Sequence, residues 1–410
     1  MKNQQTRPPW LPLTEALGYI EKNTKPICQP SQIATQYCLG RIVAEDIISS
    51  IDVPAFNNSS MDGYALRHAD TLTTDTLQIV GESFAGHPYT GTIGEKECVR
   101  IMTGGVLPKG ADTVVMQENV IVSNDRIELT EPVQFGESVR YAGSDIAIGQ
   151  TLIEAGHKLN AVDVGLGASV GMGELPVYST LRVAVLSTGD ELLAPGQALK
   201  PGHIYDSNRY ALMALLQGQG YDVIDMGIVE DDPDAIKSAF MRADQQADAV
   251  ICSGGVSVGD ADHVKAVLSD IGQVDFWKIA IKPGKPLAFG RLPNTVFIGL
   301  PGNSVSAVVT FIQVAQYALA RLAGEKRKSQ PSFTAIAADR FYKRAGRQDF
   351  QRALCFEDDS GQLKVRPVGR QNSAVLSTFS DSNCFAVLPL ESADVMPGEE
   401  VTVQLYSYLM

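Results

Sequence analysis

The sequence predicts a multidomain protein of the α/β plus β class. A three-layer α/β domain with a mostly parallel sheet is joined to a helical domain with an inserted β domain, and to a C-terminal β-barrel. Three observations lead to this prediction. Apolar strands alternate with helical stretches from Leu181 onward. Short β-rich runs with frequent glycine occupy residues 51–140, between two helical stretches. A charged, proline-bearing connector at 324–332 precedes a second β-rich region.

Length and composition describe a globular protein with more than one domain. A chain of 410 residues exceeds one ordinary hydrophobic core and suggests about two to four domains. Its 44% hydrophobic and 20% charged residues are typical of a soluble fold. The net charge of −13 excludes a general nucleic-acid binder, because phosphate backbones bind clustered Lys and Arg. A small anionic substrate would need a local basic pocket.

Neither export nor membrane insertion is expected. The N-terminal stretch MKNQQTRPPW has no apolar core typical of a secretory signal, so we expect a cytoplasmic protein. The longest apolar stretch, 305–322, contains Gln313, Gln316 and Arg321, which are costly in a bilayer, and we therefore expect a buried helix. Six widely spaced cysteines predict reduced, mostly buried thiols.

The first domain is predicted to be discontinuous, with residues 1–50 and 141–178 forming a helical layer around an inserted β domain at 51–140. Leu13, Leu17 and Ile20 recur at helical spacing behind Thr14, a candidate N-cap. The small-residue stretch AVDVGLGASVGMGE suggests one or two closely packed helices.

The remaining two domains are predicted at 179–327 and 328–410. Strands such as RVAVLSTG and DAVICSGG alternate with helical stretches such as PDAIKSAFMRADQQ, which predicts a parallel sheet covered by helices on both faces. After the connector, short strands and turns predict a small barrel or sandwich.

Three loops follow apolar strands of the predicted sheet, where ligands bind in such folds: STGDEL at 187–192, SGGVSVGDAD at 253–262 and LPGNS at 300–304. The second offers the backbone N–H groups of Gly254 and Gly255 and the hydroxyls of Ser253 and Ser257, which suits a phosphate. It matches neither a Walker loop nor a dinucleotide fingerprint. Taken alone, a plain strand-to-helix turn explains it equally well.

Acidic residues follow three of the predicted strands, and carboxylates beside phosphates indicate a bridging Mg²⁺ ion. Any single acid is better explained as complementing a helix dipole, but the set favours a metal site. The acids are Asp190, Glu191, Asp231, Asp260 and Asp262.

A local cationic group is expected in WKIAIKPGKP. Lys278 and Lys282 are an even number of residues apart, so in one strand they share a face, and Lys285 follows the turn. A solvated strand face is the alternative interpretation. Two polar loops of the insertion carry Asp62 and Thr103, although both loops read equally as turns. The five histidines are too scattered for a zinc motif.

These stretches, in this order, resemble the molybdopterin molybdenumtransferase family, which comprises the bacterial MoeA proteins and the gephyrin E domain. The resemblance spans nearly the whole chain and rests on DVPAFNNSSMDGYA, MTGGVLPKGADTVVMQE, RYAGSDIAIG, LSTGDEL, YDSNRY, SGGVSVGDAD, KIAIKPGKP, LPGNSVSA and GRQNSAVLSTFSDSNCF. It implies a MogA-like α/β domain and a homodimer whose active site combines the α/β domain of one subunit with the insertion of the other.

The implied activity is transfer of molybdenum from molybdate to adenylylated molybdopterin, with Mg²⁺ as cofactor and AMP released. Contact with a MogA-type adenylyltransferase, which makes the substrate, is also implied, whereas nucleic acid and membranes are not expected partners. The resemblance assigns catalytic roles to Asp62, Glu191, Asp231 and Asp262, the last three as metal ligands. It assigns substrate binding to Thr103, Arg140, Asp145, Ser253, Gly254, Gly255, Ser257, Lys278, Lys282, Pro301, Arg352 and Ser373.

Two departures and two alternatives accompany this prediction. Ser304 stands where the family often has proline, and we expect it to cap the following helix. Asn57 stands where aspartate is common, which removes a charge from the inserted loop. The alternatives are a MogA-type adenylyltransferase, which the extra β domains disfavour, and a non-catalytic gephyrin-like scaffold, which has no need for the acids and lysines.

Overall fold

A computed structural model of the protein describes residues 10–255, 263–326 and 330–410, with the side chain of Trp277 excepted. Ser257, Asp260 and Asp262 therefore lie outside the described residues. Strands predominate between residues 10 and 178, and only three α-helices occur in that described part. The helices are α1 (Leu13–Asn23), α2 (His68–Thr71) and α3 (Ala161–Ser169). The strands are β1 (Pro30–Ala34), β2 (Ile47–Ile48), β3 (Asn58–Ser59), β4 (Gly63–Leu66), β5 (Thr76–Ser83), β6 (Glu97–Ile101), β7 (Thr113–Met116), β8 (Val120–Ser123), β9 (Arg126–Leu129), β10 (Val139–Arg140), β11 (Thr151–Ile153) and β12 (Glu174–Tyr178).

The insertion is built on a six-stranded sheet in the order β7-β4-β6-β5-β9-β8. Three antiparallel pairs, β1 with β12, β2 with β11 and β3 with β10, join the segments before and after it. Because each pair links a strand from before the sheet to one from after it, the chain leaves and re-enters the first domain at one place.

The first domain contains fewer helices than the sequence predicts. Helix α3 has a capping box between Asn160 and Asp163, but residues 24–50 form short strands and a 3₁₀ turn. Helix α1 begins at Leu13 after Pro12, with no side-chain cap, so the expected cap at Thr14 is wrong. Its buried face packs into the core of the α/β domain.

The α/β domain has helices on both faces of a six-stranded sheet ordered β16-β13-β17-β21-β20-β18. The first four strands pair in parallel, and the last two pairings, β21 with β20 and β20 with β18, are antiparallel, which confirms the mostly parallel sheet. Helices α1, α4, α7 and α8 cover one face, and α5 and α6 the other. The strands are β13 (Arg182–Thr188), β14 (Leu192–Leu193), β15 (Ile204–Tyr205), β16 (Asp222–Val229), β17 (Ala249–Ser253), β18 (Gln273–Lys278), β19 (Ile281–Lys282), β20 (Pro286–Arg291) and β21 (Val296–Leu300). The helices are α4 (Ser207–Gly218), α5 (Pro233–Gln246), α6 (His263–Ile271), α7 (Ser304–Thr310) and α8 (Gln316–Leu322).

The chain between Lys278 and Lys282 is not one continuous strand. Lys278 ends β18 in the α/β sheet, whereas Lys282 lies in β19, which pairs with a strand of the C-terminal domain. Ile279, Ala280 and Ile281 are all fully buried, so the expected alternation of a single strand fails. The prediction that the two lysines share a strand face is wrong.

The apolar stretch Ser304–Leu322 is a buried helix, as expected. A π-helical turn at Phe311–Ala315 separates α7 from α8. The stretch is long and apolar enough to cross a membrane, but 89% of it is buried inside the protein, where it packs in the α/β core. Asn303, rather than Ser304, occupies the N-cap and makes no side-chain capping bond, so the expected cap at Ser304 is wrong.

The C-terminal domain is a closed five-stranded barrel, which confirms the predicted barrel. Strand β23 pairs with both β24 and β25, and the circle is completed through β22 and β26. All six cysteines of the protein are buried and none forms a disulfide, as predicted. The barrel strands are β22 (Phe333–Ala337), β23 (Gln348–Glu357), β24 (Leu363–Pro367), β25 (Cys384–Leu388) and β26 (Glu400–Leu405).

Candidate functional site

A cavity of about 570 Å³ lies at the carboxyl ends of β13, β17 and β21. Parallel strands place their following loops at one edge of the sheet, so the three loops selected from the sequence meet there. Six of the predicted site residues line this cavity. They are Glu191, Asp231, Ser253, Gly254, Gly255 and Pro301.

The glycine pair is required by the backbone itself. Gly254 has φ +97° and Gly255 φ +62°, which side chains rarely adopt. A Cβ on Gly254 would lie 2.5 Å from the carbonyl oxygen of Thr188, and one on Gly255 would lie 2.3 Å from a methyl group of Val264. The turn therefore brings the loops after β13 and β17 into direct contact.

The Thr188 hydroxyl at this contact favours a ligand-binding loop over a plain turn. Thr188 is 4% exposed and lines the cavity. Its Oγ1 is buried and has no hydrogen-bond partner among the residues that the structure describes. Because a buried hydroxyl normally has a partner, this group is suited to bind a ligand atom or an ordered water.

Asn208, which the sequence analysis did not select, fixes the mouth of the cavity. Its Nδ2 donates to Ser253 Oγ at 2.9 Å and to the carbonyl oxygen of Gly302 at 2.7 Å. One amide therefore connects the loops after β17 and β21. The signal was present in YDSNRY, where a polar residue follows the Asp206 cap at the start of α4.

A buried ion cluster supports this helix start. The Arg209 guanidinium donates from Nε to Asp206 Oδ2 at 2.9 Å and from Nη1 to the carboxylate of Asp225. Asp206 also accepts from Ser187 Oγ at 3.1 Å. The Asp206 and Arg209 side chains are only 1% and 5% exposed, so the cluster is a fixed support beneath the cavity.

Acids from the loops after β13 and β16 lie close together at the rim. The backbone N–H of Asp231 donates to Asp190 Oδ1 at 3.0 Å. The pKa of Asp231 is raised, because protein atoms displace part of its hydration and the charges of Asp190 and Glu191 repel its own. Like charges at this rim are the arrangement that a divalent cation relieves.

The described acids do not complete a metal site. Within 10–255, 263–326 and 330–410, no group of three His, Cys, Asp or Glu could hold a metal ion. Mg²⁺ commonly binds proteins through one or two carboxylates and takes its other ligands from water and substrate phosphates. The rim fits that mode, and Asp262, the third expected ligand, lies outside the described residues.

Lys278 and Lys282 do not line the cavity, and they differ in their partners. Lys278 is registered opposite Pro286, which lines the cavity. Lys282 Nζ donates to Asp349 Oδ2 at 3.0 Å, and that carboxylate is almost fully buried. The paired strands β19 and β23 place these two residues opposite each other.

Arg352 is buried and supports a loop rather than lining the cavity. Its side chain donates to Thr378 Oγ1 at 3.1 Å and to the carbonyl oxygens of Arg370 and Asn372 at 3.2 and 3.0 Å. Burial lowers the pKa of this guanidinium. The loop that it holds carries Ser373, whose carbonyl oxygen accepts from the N–H of Val305 at the start of α7.

The insertion holds a second, separate polar site. Asp62 Oδ1 accepts from both the N–H and the hydroxyl of Thr103, each at 2.8 Å, and these bonds lower the pKa of Asp62. Arg140 and Asp145 are exposed, and Asn57 Oδ1 accepts from the N–H of Ala142 at 2.8 Å, a bond that aspartate could equally accept.

Within one chain, these two groups of predicted residues are not brought together. Among the described residues, the cavity lining includes none from 51–140. The bonds between Asp62 and Thr103 remain inside the insertion.

Comparison with known families covers most of the sequence. The MoeA N-terminal region (domain I and II) matches residues 11–171. A probable molybdopterin binding domain matches 184–321, and the MoeA C-terminal region (domain IV) matches 334–406.

Individual relatives agree with these matches. The molybdopterin molybdenumtransferase of Haemophilus influenzae is 47% identical over 384 residues, which cover 93% of this chain and 95% of that protein. The protein of that name from Nostoc is 35% identical and covers 89% and 86%. A crystal structure of the molybdopterin biosynthesis MoeA protein from Pyrococcus horikoshii superposes with a TM-score of 0.82 at 32% identity, covering 97% of this chain and 99% of the other.

Proposed function

The chain belongs to the molybdopterin molybdenumtransferase family, and on that premise we propose that it transfers molybdenum from molybdate to adenylylated molybdopterin and releases AMP. The coarser function, a transferase of molybdenum cofactor biosynthesis, follows from relatives up to 47% identical over nearly the full chain. The adenylylated substrate, the metal and the assembly are the parts that need experiments.

One observation carries the proposal: the cavity combines an anion-binding loop with acids on one rim, and Pro286 in its lining pairs with Lys278. The glycine turn suits a phosphate group of the nucleotide, and so does the Thr188 hydroxyl, which has no partner within the described part of the chain. Lys278 and Lys282 provide positive charge for an oxyanion in a protein whose net charge is −13. A substrate with phosphates at one end and a molybdate acceptor at the other would place its phosphates at the glycine turn and its acceptor end towards the lysines.

We propose Mg²⁺ as the cofactor, held by Glu191 and Asp231 together with Asp262. The raised pKa of Asp231 supports this, because burial and the charges of Asp190 and Glu191 favour its neutral form, and only the charge of His263 opposes them. When bound, Mg²⁺ would neutralise charge on the phosphates and favour departure of AMP. Glu191 and Asp231 would orient the phosphates, and Asn208 would keep the glycine turn in place.

We further propose a homodimer in which Asp62 and Thr103 of one subunit complete the cavity of the other. The separation of these residues from the cavity within one chain supports a composite site. Arg140, at the end of the insertion, and Asp145, just after it, are exposed and would face the partner. Six buried cysteines that form no disulfide agree with a cytoplasmic location. Contact with an adenylyltransferase that supplies the substrate belongs to the same proposal.

The test supplies adenylylated molybdopterin, molybdate and Mg²⁺ to the purified protein and measures AMP. We expect AMP release that depends on molybdate and ceases with EDTA. The MogA-type alternative predicts instead that molybdopterin and ATP yield adenylylated product. Activity only with the second mixture would refute the proposal, and inactivity with both would favour a scaffold.

Subunit complementation tests the composite site. Asp62→Ala and Asp231→Ala should each be inactive alone, whereas a mixed dimer restores one intact site in every heterodimer. With random exchange, the expected recovery is about a quarter of wild-type activity, since half of the dimers are mixed and each has one of two sites. No recovery after verified exchange would refute sharing of the site between subunits.

A further inference from the structure

Trp10 and Leu11 form a short strap immediately before α1, lying against the segment that carries Lys278. The N–H of Leu11 donates to the carbonyl oxygen of Lys278 at 3.2 Å, and the N–H of Ala280 donates to the carbonyl oxygen of Leu11 at 2.8 Å. Leu11 thus makes a parallel bridge to Ile279. The strap satisfies backbone groups that the break between β18 and β19 leaves without a neighbouring strand.

The same segment is held from two other directions. The N–H of Ile279 donates to the carbonyl oxygen of Lys285 at 3.1 Å, and the N–H of Gln348 in the barrel donates to that of Ala280 at 2.8 Å. Ile279 and Ala280 are fully buried. Without the strap, the amide of Ala280 would lose its partner in a buried position, which is costly.

The indole ring of Trp10 organises two cations. Lys285 Nζ lies 4.4 Å from the ring centroid and Arg347 Cζ lies 5.8 Å from it. The negative face of an aromatic ring attracts a cation at such distances. One ring therefore restrains two positively charged side chains. Lys285 belongs to the α/β domain and Arg347 to the barrel domain.

The strap is anchored to the core. Pro12 accepts the N–H of Ala16 at 3.0 Å in the first turn of α1. Leu13 and Ala16 pack in the same hydrophobic core as Ile279 and Ile281. The position of Trp10 is therefore linked, through this core, to the segment that carries Lys278 and Lys285.

We infer that Trp10 is a positioning residue for the oxyanion site: it holds Lys285 and, through the strap, Lys278 in the arrangement that binds molybdate. This inference rests on the proposed function. It assigns to residues before the first helix a role in substrate affinity, without contact between Trp10 and the substrate.

The experiment measures molybdate-dependent AMP release by the full-length dimer for Trp10→Ala, Trp10→Phe and a control, Tyr342→Ala. Tyr342 is exposed on the barrel surface and lies 4.7 Å from Arg340 Cζ, so its removal also breaks a cation–π contact. We expect the KM for molybdate to rise about fivefold in Trp10→Ala, with kcat at saturating molybdate unchanged. Trp10→Phe should recover most of the affinity, and the control should match wild type.

A double-mutant cycle separates positioning from general stability. If Trp10 acts through Lys285, Trp10→Ala added to Lys285→Met should raise KM by less than it does alone. Additive effects, an unchanged KM, or a fall in kcat that tracks a lowered thermal midpoint would overturn the inference. An inactive wild type would instead refute the proposed function, and calorimetry of molybdate binding to wild type and Trp10→Ala would then decide the role of the strap.

Discussion

The glycine turn after β17 offers a sharp test of the cavity, because Gly254→Ala combines a backbone cost with a steric one. At φ +97°, an L-residue costs about 1–2 kcal/mol relative to glycine. The new Cβ would also lie 2.5 Å from the carbonyl oxygen of Thr188, and backbone cannot turn away as a flexible side chain can. The loop must therefore move.

The size of that movement follows from the contact distance. Real Cβ atoms essentially never approach closer than 3.0 Å, so lengthening 2.5 Å to 3.0 Å requires a shift of about 0.5 Å. The N–H of Gly254 donates to the carbonyl oxygen of Leu300 at 3.1 Å, which transmits the shift to the loop after β21. Misplacement by about 1 Å costs on the order of a hundredfold in rate, so we expect kcat/KM for AMP release to fall about tenfold to a hundredfold.

Gly171→Ala is the matched control. Gly171 has φ +80° in the first domain, and a Cβ there would meet nothing within 4 Å. It therefore carries the backbone cost without the collision. Both variants should lose stability in urea titration, but Gly171→Ala should keep its turnover. Turnover of Gly254→Ala within about threefold of wild type, or an equal loss in the two variants, would refute the assignment of the turn to the active site.

Three further predictions concern charge. The raised pKa of Asp231 means that its contribution to stability falls as the pH rises above the ordinary value of 3.8. Asp231→Asn should therefore raise the thermal midpoint at pH 7 without Mg²⁺, and raise it less at pH 4. The same substitution should abolish AMP release. Arg209→Met leaves the buried Asp206 carboxylate without its cation and should cost about 3–5 kcal/mol in urea unfolding; a loss below 1 kcal/mol would contradict the support role. The lowered pKa of Asp62 adds stability above pH 3.8, and this stability is lost as the pH falls through the pKa of Asp62 in the folded protein. Thr103→Val should raise that pKa in an NMR titration. An unchanged pKa would mean that the hydrogen bond from the backbone N–H of Thr103 alone sets it.

Local sequence signals were sufficient where a single segment determines its own structure. The apolar runs before Ser253 and Pro301 predicted parallel strands, and parallel strands bring their following loops to one edge whatever the details of packing. The positions of Glu191 and Asp231 at that edge followed from the same rule. The positive φ of Gly254 was likewise a consequence of residue type in a tight turn.

Predictions failed where a distant partner decided the outcome. The even spacing of Lys278 and Lys282 is the pattern of one strand, but pairing with Leu11 and with the barrel breaks the strand between them. The capping roles expected of Thr14 and Ser304 failed because each helix begins earlier, with Pro12 and Asn303 at the N-cap positions. Local propensity cannot weigh such contacts.

The sequence by itself determined the fold class, the family and the loops that form the cavity, because hydrophobic periodicity and glycine geometry act over a few residues. Only the tertiary structure decided which side chains meet there. Asn208 bridges loops about 45 and 94 residues away, Arg352 supports the loop of Ser373 instead of lining the cavity, and Asp62 lies apart from it. These relations depend on how separate domains pack, and the energy of such long-range contacts is not encoded in any short stretch of the chain.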